Sequence, residues 1–328
     1  MLSKVIISLF LCAAAYNTMH SMAAPKIKIG SAEYALVCAE IETANPVRDQ
    51  PEVITLALKE QSIDTLFFDR KSDTLLILGQ GFPGSKEGIA CIAWLFPDYD
   101  VVSFDYRWRD LYTYAATTQT ILHPVQRMIH DCVDDAEIVV RHFKEQKQYR
   151  EVVGLGLCYS NYTFLAAQVR SNLFTKLIFD SSWTSLNEFI RHICLDPWLP
   201  CSPQEGGSPE WLKSILKTSF VHSCLTSIVD LCCPTISVVP ILEQLRTTPI
   251  LFIHGAGDLL VDYPNNFAAL WQAVATDHKA AFITPSRHSD NMDPNPTLYH
   301  AICDTFIRTN SLSDLHTTLM QTNILLFQ

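Results

Sequence analysis

The chain has 328 residues, 48% of them hydrophobic and 18% charged, with a formal net charge of −10 at pH 7. That length can bury one large core, or a core with a smaller lobe. An acidic balance with no basic run excludes the Lys/Arg patches that a nucleic-acid partner requires.

Residues 1–23 carry the order of a signal peptide: Lys4 as a positive start, an apolar run from Val5 to Ala15, and a small-x-small site at Ser21-Met22-Ala23. Ala13-Ala14-Ala15 is a second cleavage candidate. The apolar run is too short to span a bilayer, so no membrane span is expected once it is removed. Leu11 is bulky where lipid attachment at Cys12 would want a small residue. The expected location is secreted or periplasmic.

Ile27 to Glu42 reads as a short strand or an arm over the fold. Two strands are expected at Val53 to Leu58 and Thr65 to Asp69, and a continuous apolar one at Thr74 to Leu78. Helical periodicity follows over Ile89 to Phe96, then a buried strand at Val101 to Phe104. Val125 to Lys147 is an amphipathic helix with Met128, Cys132, Val133, Ala136, Val140 and Phe143 along one stripe. Strands are expected again at Glu151 to Leu157, Lys176 to Phe179, Pro249 to Ile253 and Ala280 to Ile283, with helices over Asn265 to Ala275 and Pro296 to Arg308.

Residues 181–247 break this alternation, being rich in Trp, Pro, Ser and Cys, and read as an inserted lid of short helices. The organisation is therefore a core over 24–180 and 248–310, a lid between them, and a tail over 311–328. Repeated strand–helix alternation argues an α/β fold, a mostly parallel sheet with helices on both faces. Ligands bind such sheets at the carboxyl ends of the strands.

Cysteine usage is unusual. Eleven cysteines less Cys12 leave ten after export. Cys91, Cys132 and Cys303 sit on apolar helical faces and read as core. Cys194, Cys201, Cys224, Cys232 and Cys233 crowd one irregular region as disulfide candidates of undetermined pairing. The eleven histidines are scattered, and Cys232-Cys233 lacks a second pair at zinc-site spacing, so no metal or other cofactor is expected.

The chemistry centres on Gly156-x-Cys158-x-Ser160, between an apolar strand and a helix that runs on through Val169. A sharp strand-to-helix turn needs small residues two before and two after its centre, because the two backbones approach closely there. Gly156 and Ser160 meet that need around Cys158. With Ser160 at the centre, Tyr162 would fall at the crowded position. This stretch resembles the nucleophile elbow of the α/β-hydrolase superfamily, usually Gly-x-Ser-x-Gly, with Cys for Ser as in the dienelactone hydrolase branch.

The resemblance covers roughly residues 50–310 without the insert, and it implies an order of parts: nucleophile, acid, then histidine. Cys158 is the implied nucleophile. Asp258, closing Ile253-His254-Gly255-Ala256-Gly257-Asp258, resembles the acid loop after the seventh strand. His288, in Ser286-Arg287-His288-Ser289-Asp290, resembles the histidine loop and is the implied base. Asp180 is the reserve acid, as in some branches of the superfamily. Gln80-Gly81-Phe82-Pro83-Gly84 resembles the oxyanion loop, usually His-Gly-Phe-Pro-Gly. The backbone N–H groups of Phe82 and Tyr159 are the implied oxyanion donors, each worth on the order of 3 kcal/mol. Asp105-Tyr106-Arg107-Trp108 resembles an Asp-x-Arg-Gly stretch, with Trp in place of Gly, and is given a structural role.

These parts imply acyl transfer on a small apolar ester, lactone or thioester through a covalent acyl-enzyme, with no cofactor. Lipase-like or peptidase-like activity on the same fold separates from it only by substrate. A reading of a different class keeps the fold as a non-catalytic binding or interaction protein, because Cys for Ser, Gln80 for His and Ser160-Asn161 for Gly-Gly all depart from the family pattern.

Overall fold

A computed structural model describes residues 50–58, 61–81, 84–107, 124–189, 236–258, 260–261, 265–276 and 278–309. The signal-peptide candidate, the arm at 27–42, the lid cysteines, Phe82 and the tail lie outside the described residues.

Eight strands build one sheet: β1 (Glu52–Ala57), β2 (Ser62–Phe68), β3 (Thr74–Gly79), β4 (Asp100–Phe104), β5 (Glu151–Leu157), β6 (Lys176–Asp180), β7 (Ile250–Gly255) and β8 (Lys279–Thr284). Their order is β1-β2-β4-β3-β5-β6-β7-β8. β1 and β2 form an antiparallel pair, β2 meets β4 antiparallel, and every pairing from β4 through β8 is parallel. The fold is the expected α/β class.

The parallel strands are apolar on both faces because helices cover both. Leu75, Ile77, Val102, Val152, Leu177, Ile250 and Phe252 face one core. Their neighbours one residue along, Leu76, Leu78, Val101, Val153, Ile178, Leu251 and Ile253, face the other. The first core is closed by α2 (Pro124–Gln146), α3 (Tyr159–Ser171) and α5 (Asn265–Ala273). On α2, Cys132, Val133, Ala136, Val140 and Phe143 of the expected stripe are buried. The second core is closed by α1 (Lys86–Ala90), the 3-10 turn Cys91–Leu95 and α6 (Pro296–Arg308). Burying one such side chain is worth about 1.5–3 kcal/mol, so these two layers carry the fold.

The segment expected as a helix over Ile89 to Phe96 begins earlier and changes type. Ser85 caps α1 by accepting the Gly88 N–H at 3.1 Å. Cys91–Leu95 then tightens to 3-10, and Phe96 leaves the helical region at φ −116°, ψ 62°. Pro97 follows it, and a residue before proline is disfavoured in the α region.

The two ends of the 181–247 segment are joined. Ser185 bridges Ser237 antiparallel, Leu186 N–H donates to the Ile236 carbonyl, and Val238 N–H donates to that of Thr184, both at 2.9 Å. A one-turn helix, α4 (Val239–Leu242), leads back toward β7. Among the cysteines expected in the core, Cys132 and Cys303 are buried, and Cys91 is partly exposed.

Because β3, β5, β6, β7 and β8 are adjacent and parallel, their carboxyl ends share one side of the sheet. The register sets Gly79 beside Gly156, Leu157 beside Asp180, and Asp180 beside Ile253. Five loops far apart in sequence therefore open on one place.

Candidate active site

Cys158 stands between β5 and α3 at φ 49° and ψ −102°, a left-handed backbone for a residue with a Cβ. It is 3% exposed. Its N–H donates to the Asp180 carbonyl at 2.8 Å, and its own carbonyl accepts from the Asn161 N–H at 3.3 Å. Asn161 Nδ2 donates to the same Asp180 carbonyl at 2.7 Å. The bend is thus held from β6.

The small residues around the turn have separate jobs. A Cβ on Gly156 would sit 2.6 Å from Asn161 Oδ1 and 2.9 Å from the Asn161 nitrogen, so α3 can approach only over glycine. Ser160 occupies the place where the family pattern has a second glycine. The room for it comes from Gly79, where a Cβ would lie 2.5 Å from that of Ser160. Ser160 Oγ donates to the Gln80 carbonyl and receives the Tyr106 hydroxyl at 2.6 Å, and the residue has no exposed surface. It ties the loop after β3 to the turn and is not presented for chemistry. Gly81 passes over the turn, its Cβ position 3.4 Å from that of Cys158. Tyr159 opens α3, where the first amides have no carbonyl one turn back. A helix N-terminus also favours an anion at Cys158.

Asp258 and His288 meet because two loops cross in contact. Gly257 N–H donates to the Ser286 carbonyl at 3.0 Å, and Ala256 N–H to that of Thr284 at 2.7 Å. A Cβ on Gly255 would lie 2.3 Å from the Ser286 carbonyl oxygen, so a side chain there would push the loops apart. At the crossing, Asp258 Oδ2 takes His288 Nδ1 at 2.7 Å. Its Oδ1 accepts the N–H groups of Leu260 and Val261, both at 2.9 Å. The carboxylate is buried, which alone would raise its pKa. The His288 charge and hydrogen bond, with the Val261 amide, outweigh that and hold it below the ordinary range.

His288 is 12% exposed at its side chain. Burial works against its charged form. The Asp258 carboxylate, and then the Cys158 sulfur, prevail and hold the ring well above its ordinary pKa. Nε2 is buried without a hydrogen-bond partner of ordinary geometry. The ring is therefore fixed on one side by a carboxylate, its other nitrogen is unspent, and the Cys158 sulfur lies near enough to raise its pKa.

Asp180, the reserve acid, does not hold the ring. Its Oδ1 accepts from Asn291 Nδ2 at 2.6 Å and Ser181 Oγ at 2.9 Å, and its Oδ2 from the Tyr299 hydroxyl at 3.1 Å. Burial pushes its pKa up to about 6 against those three hydrogen bonds.

Several residues around this site carried no sequence signal. His254 lies with Nε2 3.9 Å from Asp258 Oδ2, and its burial lowers its pKa despite that carboxylate. Tyr162, Trp183 and Phe189 stack in a run, at 5.9 Å and 6.2 Å between centroids, and Phe189 lies 5.7 Å from the His288 ring. Only the stacking tells these aromatics from ordinary core. Among the described residues, no group of His, Cys, Asp or Glu could hold a metal ion. No helix among them is long and apolar enough to cross a membrane.

No protein-family model and no curated protein sequence matches the chain. Solved structures do. An esterase from Pyrococcus furiosus superposes with a TM-score of 0.60 at 14% identity, over 79% of this chain and 91% of that one. A membrane phospholipase A, described as a bacterial virulence factor, superposes at 0.54 and 15% identity, over 96% of this chain and 99% of that one. At such identities the likeness is one of fold, and together with the sheet order and the turn after β5 it establishes that this chain has the α/β-hydrolase fold.

Proposed function

We propose that the protein is a hydrolase of carboxylic esters, lactones or thioesters that works through Cys158, His288 and Asp258. One observation carries this reading. Asp258 holds His288 Nδ1 at 2.7 Å, while Nε2, buried and unbonded, is left for the sulfur of a strained Cys158. In the reaction the thiolate attacks the substrate carbonyl carbon. Nε2–H protonates the departing alkoxide as its bond to carbon breaks, leaving a thioester. Water then gives a proton to Nε2 as it attacks that thioester, and collapse frees the acid and restores the thiolate. The Tyr159 amide, with that of Phe82, would hold the oxyanion. The esterase and phospholipase among the fold neighbours support an ester as substrate class. The aromatic run beside His288 supports an apolar acyl group. Export, resting on the order of residues 1–23, belongs to the same proposal, and sequencing the amino terminus of the mature protein tests it.

The test of the mechanism is alkylation of Cys158 by iodoacetamide from pH 5 to 9, followed by mass spectrometry, alongside hydrolysis of short-chain p-nitrophenyl esters. Fast alkylation below pH 7, moved toward pH 8.5 by His288→Ala, is expected, with hydrolysis lost in Cys158→Ala. A Cys158 that reacts no faster than an ordinary thiol at any pH would leave only a non-catalytic role for the fold.

A further inference from the structure

We propose that Asp180 is a positioning residue that locks the Cys158 turn and the His288 loop to one point at the end of β6; this rests on the Cys158–His288 reading above. Its two halves serve the two loops. The main-chain carbonyl receives the Cys158 N–H at 2.8 Å and Asn161 Nδ2 at 2.7 Å, fixing the turn. The carboxylate receives Asn291 Nδ2 and Ser181 Oγ on Oδ1 and the Tyr299 hydroxyl on Oδ2. Ser181 Oγ in turn accepts the N–H of Ser289, the residue after His288, at 2.8 Å, and a second contact from Asn291 Nδ2 at 3.0 Å. Asn291 Oδ1 takes the Thr284 hydroxyl at the end of β8. The histidine loop is thus pinned through Ser289 and Asn291, one and three residues after His288.

Backbone strain marks the same point. Among the described residues, five other than glycine have positive φ, and three belong to this network: Cys158 at 49°, Ser181 at 56° and Ser289 at 60°. Strained residues persist where their surroundings over-determine them. Cys158 and Ser289 are each held through the Asp180–Ser181 pair, one from each side of the nucleophile–base gap. The carboxylate itself makes no hydrogen bond to His288, so beyond the direct attraction between the two charges its hold on the ring passes through the loop. The ionisable groups around it are His288, Asp293, Tyr299 and Cys303.

The test compares two substitutions. Asp180→Leu keeps the branched outline, with two methyl groups in place of the oxygens, and removes every side-chain acceptor. Asp180→Asn keeps an oxygen where Asn291 and Ser181 donate. The readout is the rate–pH profile of Cys158 alkylation by iodoacetamide in the full chain. Asp180→Leu is expected to slow alkylation at pH 6 at least tenfold and to move its profile onto that of His288→Ala. Asp180→Asn is expected to recover most of that loss, which a residue acting through its charge would not do. Added to His288→Ala, Asp180→Leu should cost nothing further. An Asp180→Leu profile equal to wild type overturns the proposal, as does equal slowing on the wild-type and His288→Ala backgrounds, the mark of general structural damage. If Asp180→Leu does not fold, Asn291→Leu and Ser181→Ala cut the link from the other side, under the same two outcomes. Failure of the underlying reading looks different: wild type and His288→Ala would then share one profile.

Discussion

Asp258→Asn is the most informative change near the proposed base, because the structure dictates which way the new amide must face. Oδ1 of Asp258 accepts two backbone N–H groups, from Leu260 and Val261, each at 2.9 Å. The amide oxygen must keep that place. Setting the NH2 group there instead would leave two donors unpaired, the Val261 N–H buried and the Leu260 N–H partly so, at about 1–3 kcal/mol for the buried one. The NH2 group therefore stands where Oδ2 met His288 Nδ1 at 2.7 Å. It can only donate, so Nδ1 must present its lone pair and the ring proton moves to Nε2, toward Cys158. A ring in that tautomer cannot take the thiol proton, and the carboxylate charge that holds its pKa up is gone. The expected loss in kcat/KM is on the order of 10³–10⁴, or about 4–5 kcal/mol of transition-state stabilisation. The assay is hydrolysis of p-nitrophenyl butyrate against pH, with Cys158 alkylation measured in parallel. Rates within tenfold of wild type across the profile would refute the argument that Asp258 sets the tautomer. Stability has its own sign. The folded pKa of Asp258 lies below its ordinary value, so its contribution is present above about pH 4. It is lost as pH falls through the folded pKa, and Asp258→Asn should remove that acid-side loss.

Three further outcomes are expected. Ser160→Ala takes the donor from the buried Gln80 carbonyl and one of the partners from the Tyr106 hydroxyl, which should cost about 1–3 kcal/mol in denaturant melts; Cys158 should still alkylate, and loss of all labelling would count against Cys158 as the presented group. Gly156→Ala drives a methyl to 2.6 Å from Asn161 Oδ1, and should lower stability by about 1–3 kcal/mol while slowing Cys158 alkylation; an unchanged rate would mean that the close approach of α3 does not shape the turn. Asp180→Asn should gain stability over wild type as pH rises. Burial lifts the folded Asp180 from an ordinary 3.8 to about 6, so the protonated form favours folding, and that contribution is lost as pH rises through 6. About 2 kcal/mol of the wild-type–variant difference should appear between pH 4.5 and pH 8 in paired thermal melts; a difference flat in pH would contradict the buried charge.

Much of the sheet was legible from the order of residues alone. Continuous apolar runs such as Thr74 to Leu78 and Ile250 to Ile253 announce strands covered on both faces, because only burial on both sides tolerates consecutive large apolar residues. The small-x-Cys-x-small turn, and the order Cys158, Asp258, His288, are local or sequential features that a chain displays without being folded. The 3-10 turn at Cys91–Leu95 was not legible, since helical periodicity does not reveal how tightly a turn before proline winds.

What the tertiary structure alone decided are the relations across strands. Choosing between Asp258 and Asp180 as partner of His288 required the crossing of the loops after β7 and β8, where Gly255 meets Ser286. The room for Ser160 in place of a glycine came from Gly79, 81 residues earlier, which local spacing cannot show. The Asp180, Ser181, Ser289 and Asn291 network spans more than a hundred residues of sequence. Spacing along a chain reports on one turn or one face. A hydrogen bond between strand ends depends on which strands lie side by side, and only the folded sheet sets that.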